Sequence, residues 1–134
     1  MKHLPELLLP AGNLEMAIAA YQGGADAVYA GLQDFNARQR AKNFSINELS
    51  TLTDYAKDNH KKIYIVLNTL IKNNETFDIV DTLSLISDLK VDGVIVQDLG
   101  LLYLIKKYFN KLAVHSSTQM GIHNSLGISF SQKE

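Results

Sequence analysis

Short apolar segments alternate with longer amphipathic segments along this chain, and this alternation limits the available folds more than any other feature. Apolar, β-rich runs predict five strands, at 6–9, 27–30, 62–67, 93–96 and 112–115. Amphipathic stretches predict helices at 14–21, 46–59, 76–89 and 99–108, and another helix from 128 onward. Fully apolar strands that alternate with helices are typical of a parallel sheet covered by helices.

A weak internal repeat narrows the architecture. Residues 24–29 (GADAVY) align with residues 90–95 (KVDGVI), and an aspartate precedes the strand in both segments. The spacing of 66 residues corresponds to two βα units. Alternate units are related in this way in (β/α)₈ barrels, where alternate strands supply each layer of inward side chains. We therefore expect parallel βα units of a partial TIM-barrel-like domain. The alternative is an open, doubly wound sheet, because such strand entries are common in any α/β protein.

The number of predicted strands bears on domain organisation. Five are predicted here, whereas a barrel contains eight strands and typically about 250 residues. We therefore expect residues 1–134 to be the N-terminal portion of such a domain, ending after the fifth strand and the start of its helix. The fifth strand would then be an open edge. Either a longer protein supplies the missing units, or a second copy pairs with this edge to form a homodimer.

The composition excludes several classes of protein. With 46% hydrophobic residues, the chain is too apolar for a disordered tail. It contains no cysteine, so it offers no thiolate ligand for zinc or for an iron–sulfur cluster. Membrane-spanning and signal-peptide patterns are absent from the sequence, so we expect a cytoplasmic protein without a membrane partner. A net charge of −1 gives no global attraction for nucleic acid.

Polar side chains follow the predicted strands at their carboxyl ends, where parallel α/β proteins bind their ligands. The candidate binding residues there are Asn13, Arg38, Arg40, Asn68, Gln97, His115, Ser117, Gln119 and His123. Arg38 and Arg40 are the only arginines among 13 basic residues, and both follow the second strand. Because a guanidinium binds carboxylates and phosphates with two parallel hydrogen bonds, the pair is a candidate anion clamp. A surface salt bridge is the alternative interpretation.

The run after the fifth strand contains two histidines, His115 and His123, which are eight positions apart. They make a weak metal site, since no third ligand stands in a fixed motif with them, and we predict no metal in this chain. A nucleophilic pair of His115 with the adjacent serine is weaker still, because neighbouring strand residues point to opposite faces. His115 and Gln119 are better explained as pocket-lining groups. His123 can instead cap the following helix together with Asn124.

Two further residues have a functional and a structural interpretation. Asp98 follows the fourth strand, where its carboxylate can act as a base or a ligand, or can cap the helix that begins at Leu99. Asp98 and His115 are the candidate catalytic residues. Asn13 belongs to the segment Pro10–Asn13, whose backbone N–H groups can bind an anion at a helix start. That segment lacks the glycine pattern of a nucleotide-binding fingerprint.

The opening segment 6–15 (ELLLPAGNLE) closely resembles the ELLAPAGN opening of the peptidase U32 family, the collagenase-like proteins. Later segments resemble further motifs of that family in the same order, namely 24–31 (GADAVYAG), 38–44 (RQRAKNF), 96–100 (VQDLG) and 115–120 (HSSTQM) with His123 and Asn124. The resemblance covers nearly the whole chain. It implies a TIM-barrel-like N-terminal domain that continues into a cysteine-bearing segment, which holds an iron–sulfur cluster in several members. No cofactor is therefore expected in this chain, although one is implied for a full-length protein.

The resemblance leaves the function open between three hypotheses. Family members are named as proteases, some of them active on collagen, and others are required for hydroxylation of tRNA, ribosomal RNA or the ubiquinone ring. The residues themselves show no Ser, Cys or paired-Asp arrangement of a peptidase. A pocket with arginines fits an anionic small molecule or RNA better than a peptide. The third hypothesis is a non-catalytic fragment or scaffold domain that has no activity on its own.

Overall fold

The computed structural model describes residues 4–37 and 43–133. These residues form one parallel sheet of β1 (Leu8–Ala11), β2 (Ala27–Gly31), β3 (Lys62–Leu67), β4 (Gly93–Val96) and β5 (Val114–Ser116). The helices are α1 (Leu14–Gln22), α2 (Ile46–Asp58), α3 (Thr76–Leu89), α4 (Leu99–Tyr108) and α5 (Ser125–Ser131), with short 3-10 turns at Asn73–Glu75 and Thr118–Met120. Within these described ranges, no helix has the length and apolar character needed to cross a membrane.

The order of the strands decides between the two predicted architectures. A doubly wound sheet reverses its winding at a switch point, so its strand order departs from the order of the chain. Here the order is β1-β2-β3-β4-β5, and every pair is parallel. Right-handed crossovers in one direction place the connecting helices on one face of the sheet. The protein therefore has a partial barrel-like α/β fold, and the prediction of parallel βα units is confirmed.

The two faces of the sheet differ in what covers them. Ala11, Ala30, Ile65 and Val94 lie side by side in the register of the first four strands, and all are buried in the core with the helices. The neighbouring row, Pro10, Tyr29, Tyr64 and Gly93, points away from the helices. We call this second surface the open face. It corresponds to the inner wall of a barrel.

Three elements differ from the prediction by two residues or more at a boundary, and the other differences are of a single residue. The first strand lies at Leu8–Ala11 rather than 6–9, and the fifth at Val114–Ser116 rather than 112–115. Leu112 is apolar and buried, but its backbone N–H binds the carbonyl of Phe109 in a turn instead of joining the sheet. The last helix begins at Ser125 rather than 128, because the Asn124 side chain accepts a hydrogen bond from its first turn.

The internal repeat has a structural basis in two aspartates. The Asp26 carboxylate accepts a hydrogen bond of 2.9 Å from the backbone N–H of Leu7, and the Asp92 carboxylate accepts one of 2.8 Å from that of Ile63. Each aspartate also donates its own backbone N–H to the carbonyl of the same partner. Each therefore fastens the entry of its own strand to the preceding strand in the sheet, which explains why the aspartate recurs after 66 residues.

Replacement of Asp92 with alanine is expected to lower the free energy of unfolding by about 1 to 3 kcal/mol, because the N–H of Ile63 loses a charged acceptor. The shift in the urea midpoint measures this effect. Asp92→Asn keeps one acceptor oxygen and should lose less. The control is Asp81→Ala, which removes an exposed carboxylate from the middle of α3. Equal midpoints for Asp92→Ala and Asp81→Ala would show that the aspartate does not fasten the strand.

Candidate functional site

The carboxyl end of β1 leads directly into α1 through Asn13. The Asn13 side chain accepts a hydrogen bond of 2.8 Å from the backbone N–H of Met16, so it is the N-cap of the helix. An amide oxygen in this position satisfies one of the unpaired N–H groups of the first turn. Asn13 therefore has a structural role, and its predicted role in binding is not tested by this contact.

The segment that carries the two arginines leaves and rejoins the sheet at its carboxyl end. At its start, the backbone N–H of Ala37 donates a hydrogen bond of 2.9 Å to Oδ1 of Asn68, the residue directly after β3. At its end, the N–H of Phe44 donates to the carbonyl of Gly31, the last residue of β2, at 3.0 Å. Phe44 is also buried in the core. Both flanks of the arginine segment are therefore anchored beside β2 and β3, whereas Arg38 and Arg40 lie outside the described residues.

Gly31 matters for this anchoring because the loop packs directly over it. A Cβ atom at position 31 would lie 3.0 Å from Asn36 Cγ and 3.1 Å from Asn43 Oδ1. The Asn36 side chain is buried and donates its amide to the carbonyl of Leu32. The absence of a side chain at Gly31 thus lets two asparagines of the loop approach the strand end.

Asp98 caps α4, as one of its interpretations predicted. Its Oδ1 accepts a hydrogen bond of 2.7 Å from the N–H of Leu101, and its Oδ2 accepts one of 3.2 Å from the N–H of Ile71. Both carboxylate oxygens therefore bind backbone, and they connect the segment after β3 to the start of α4. Gln97 lies between β4 and this cap and is half-buried.

The residues after β5 are arranged by a 3-10 turn. Ser117 is buried, donates its backbone N–H to the carbonyl of Val96 at 2.8 Å, and accepts at Oγ from the N–H of Gln119 at 3.1 Å. Gln119 itself is exposed within the turn. His123 is exposed, and its Nδ1 lies 2.8 Å from the carbonyl oxygen of Gly121. Asn124, rather than His123, caps the following helix.

His115 and Ser116 point to opposite sides of β5, as strand geometry predicts. The His115 ring contacts Tyr64, with 4.6 Å between ring centroids, on the open face. The Ser116 hydroxyl instead lies 3.0 Å from that of Ser131 in α5. A direct hydrogen bond between these neighbours is therefore not available for nucleophile activation.

Two clefts border the edge of the sheet at β5. The larger, of about 680 Å³, lies between α4, β5 and the end of α5 and is lined by His115. The smaller, of about 380 Å³, is lined by Ser117. Asn13, Asn68 and Gln97 line neither of them. The described candidates Asn13, Asn68, Gln97, His115 and Ser117 thus lie at or near the carboxyl ends of their strands, but neither cleft contains them all.

The part of the chain that the structure describes offers no ligand set for a metal cluster. The sequence contains no cysteine, and residues 4–37 and 43–133 contain no group of three His, Asp or Glu side chains that could hold a metal ion. The iron–sulfur cluster that the resemblance implies for a full-length protein therefore has no ligands within the described part.

Sequence reasoning missed a cluster on the open face formed by Glu6, Lys62 and Tyr64. Glu6 Oε2 lies 2.7 Å from Lys62 Nζ, and the Tyr64 hydroxyl donates to Glu6 Oε1 at 2.8 Å. The bond from the ammonium of Lys62 holds the pKa of Glu6 below its ordinary value. Burial, and then the bond to Glu6, raise the pKa of Tyr64 to about 12. The available signal was the spacing of the polar groups, since Lys62 and Tyr64 alternate in an otherwise apolar strand and so share one face.

The lowered pKa of Glu6 predicts a pH dependence of stability. A carboxylate with a lowered folded-state pKa stabilises the fold above its unfolded value of 4.5, and this contribution is lost as the pH falls through the folded value. Glu6→Gln should therefore lower the urea midpoint at pH 7 and change it less at pH 3. Glu15→Gln, in the exposed first turn of α1, is the control. An equal loss at both pH values would contradict the assignment.

Comparison with known families identifies the chain. Residues 12–134 match the family model described as peptidase family U32. The chain belongs to peptidase family U32. Among solved structures, a U32 peptidase has the same fold, with a TM-score of 0.66 and 18% identity over 89% of this chain and 51% of that one. The U32 membership predicted from the motifs is therefore confirmed.

U32 relatives with several different names match almost the full chain. An uncharacterized protease of Methanocaldococcus jannaschii is 41% identical over 99% of this chain and 32% of its own length. The tRNA hydroxylation protein P1 of Bacillus subtilis is 36% identical over 97% of this chain and 31% of its own. A collagenase of Porphyromonas gingivalis is 29% identical over 93% of this chain and 30% of its own length. The chain thus spans about a third of the length of these curated relatives.

Proposed function

We propose that this U32 chain forms part of an RNA-hydroxylation protein and that the carboxyl end of its sheet binds the anionic backbone of the RNA. The observation that carries the proposal is the 36% identity with a tRNA hydroxylation protein across 97% of this chain. That match extends over 130 residues, almost the whole chain. The relatives named as proteases make peptide hydrolysis the competing function.

The charge distribution supports a local rather than a global contact with RNA. The net charge of the chain is −1, so long-range attraction to a polyanion is weak. Arg38 and Arg40 are the only two arginines, and the flanks of their segment are anchored beside β2 and β3. A guanidinium binds a phosphate with two parallel hydrogen bonds. We therefore assign phosphate binding to these two residues.

The capping contacts separate the other candidates into residues that stabilise the fold and residues that are free to contact a ligand. Asn13, Asp98 and Ser117 accept hydrogen bonds from the backbone at the starts of helices or turns. Ligand contact is accordingly assigned to Gln97, His115 and Gln119, and Asn68 supports the arginine segment.

The hydrogen bonds favour this proposal over peptide hydrolysis. A serine or threonine nucleophile requires a base within hydrogen-bond distance. Among the described residues, His123 is the histidine whose ring nitrogen makes a hydrogen-bond contact. Its partner is the backbone carbonyl of Gly121, not a serine or threonine hydroxyl. The carboxylate of Asp98 binds two backbone N–H groups.

The test is mass spectrometry of nucleosides from tRNA and ribosomal RNA of cells that lack the gene. We expect loss of a hydroxylated nucleoside and its return when the wild-type gene is restored. Unchanged profiles in both RNA classes would contradict the proposal. Cleavage of gelatin by the purified protein, abolished by His115→Ala, would favour the peptidase function instead.

A further inference from the structure

Tyr64 connects two distant parts of the open face. Its hydroxyl donates to Glu6, which precedes β1, and its ring contacts His115 on β5 with an interplanar angle of 56°. Tyr64 lies on β3, so these two contacts reach across both neighbouring strands. One side chain thereby joins the beginning of the chain to the fifth strand.

Gly93 makes the contact with His115 sterically available. It is the partner of Tyr64 in the register of β3 and β4, on the strand between Tyr64 and His115. A Cβ atom at position 93 would lie 3.3 Å from Tyr64 Cδ1 and 2.8 Å from the carbonyl oxygen of Ala113. A side chain at this position would therefore compete with the tyrosine ring for the space beside His115.

The hydrogen bond from the Tyr64 hydroxyl to Glu6, which anchors the tyrosine ring, is stronger than an ordinary neutral hydrogen bond. Its acceptor is a carboxylate, which Lys62 holds from the other oxygen at 2.7 Å. Charge-assisted bonds of this kind are short and about twice as strong as neutral ones. Tyr64 is only 5% exposed although it lies on the open face. Its ring therefore has one defined orientation, whereas His115 is exposed and contacts that ring on one side.

We propose that Tyr64 is a positioning residue for His115, holding the imidazole near the carboxyl end of the sheet, where the proposed function places the ligand. This inference rests on the proposed function, in which His115 contacts the RNA. Binding groups with a fixed orientation lose less conformational entropy on binding, so a supported histidine binds more productively than a free one. Glu6 and Lys62 act through Tyr64, and Gly93 leaves room for the contact.

The experiment compares Tyr64→Leu with Tyr29→Leu in the intact protein. Tyr29 is a matched control because it lies beside Tyr64 in the register of β2 and β3, on the same face. The first readout is the NMR resonance of the His115 ring, assigned with His115→Ala. Loss of the tyrosine ring current should move this resonance in Tyr64→Leu and leave it in place in Tyr29→Leu. The second readout is the hydroxylated nucleoside, which should fall on the order of 10- to 100-fold in Tyr64→Leu only.

A more conservative variant, Tyr64→Phe, keeps the proposal testable if Tyr64→Leu does not fold. Tyr64→Phe keeps the ring and loses the bond to Glu6, so it should shift the His115 resonance in the same direction by a smaller amount. An unchanged resonance in this variant, or equal shifts in Tyr64→Leu and Tyr29→Leu, would overturn the proposal. A shifted resonance with unchanged hydroxylation would overturn the role in function. If deletion of the gene changes no nucleoside, the proposed function fails while the resonance still decides whether Tyr64 positions His115.

Discussion

Replacement of Leu83 with alanine is expected to lower the free energy of unfolding by about 2 to 5 kcal/mol. Leu83 lies on α3 and is 0% exposed, between Ile79 and Ile86 on the face that packs against the sheet. Removing its side chain forfeits buried apolar surface and leaves a cavity that the surrounding helix and strands fill only in part. Because domains of this size are stabilised by about 5 to 15 kcal/mol, the loss is a large fraction of the total. The shift of the urea midpoint, followed by circular dichroism, measures it.

Leu85→Ala provides a matched control for this prediction. It makes the same chemical change on the same helix, two positions away, but Leu85 is 45% exposed. Its midpoint should shift much less, since little apolar surface is removed from the core. Similar losses for the two variants would show that the buried face of α3 is not the one described here.

Gly93→Ala is expected to cost about 1 to 3 kcal/mol, as an overpacked position in a well-packed sheet. The added Cβ would lie 2.8 Å from the carbonyl oxygen of Ala113, a backbone atom that cannot rotate away. The backbone around Gly93 and Ala113 would therefore have to shift. This shift would also change the contact between Tyr64 and His115. The measurements are the urea midpoint and the NMR resonance of the His115 ring, and both should change.

Gly23→Ala is the control for the glycine substitution. Gly23 ends α1 with an ordinary φ of −75°, and an added Cβ would lie 3.3 Å from the carbonyl oxygen of Ala19. This variant should fold with a smaller loss of stability and an unchanged His115 resonance. A His115 resonance that stays in place in Gly93→Ala would contradict the steric argument for Gly93.

The repeating pattern predicted the architecture because each element depends on local chemistry. Apolar strands and amphipathic helices alternate, and caps such as Ser45 with Glu48 mark helix starts regardless of the tertiary fold. The fifth strand was misplaced by two residues for a related reason. Leu112 is as apolar as a strand residue, but only the pairing with β4 decides where the ladder starts. On the fifth strand that pairing begins at Val114.

The cluster around Tyr64 could not be predicted from local pattern. Glu6 and Tyr64 are 58 residues apart, and their bond depends on the register across three strands. The contact with His115 depends in addition on the missing side chain of Gly93. In contrast, the capping role of Asp98 could be predicted, because a carboxylate directly before a helix finds backbone N–H groups nearby. Its candidate catalytic role stays a prediction. The functional roles of Arg38 and Arg40, which lie outside the described residues, stay predictions.

The measurement that tests the central claim most directly is the level of the hydroxylated nucleoside in deletion cells that express Arg38→Ala/Arg40→Ala. Each arginine bond to a phosphate contributes about 1.5 to 3 kcal/mol, so loss of each should reduce binding at least tenfold. The control is Lys61→Ala/Lys111→Ala, which removes two charges before β3 and β5, at the opposite end of the sheet. We predict that the arginine variant fails to restore the nucleoside while the wild type and the lysine variant restore it. Full restoration by the arginine variant would contradict RNA binding at the carboxyl end of the sheet.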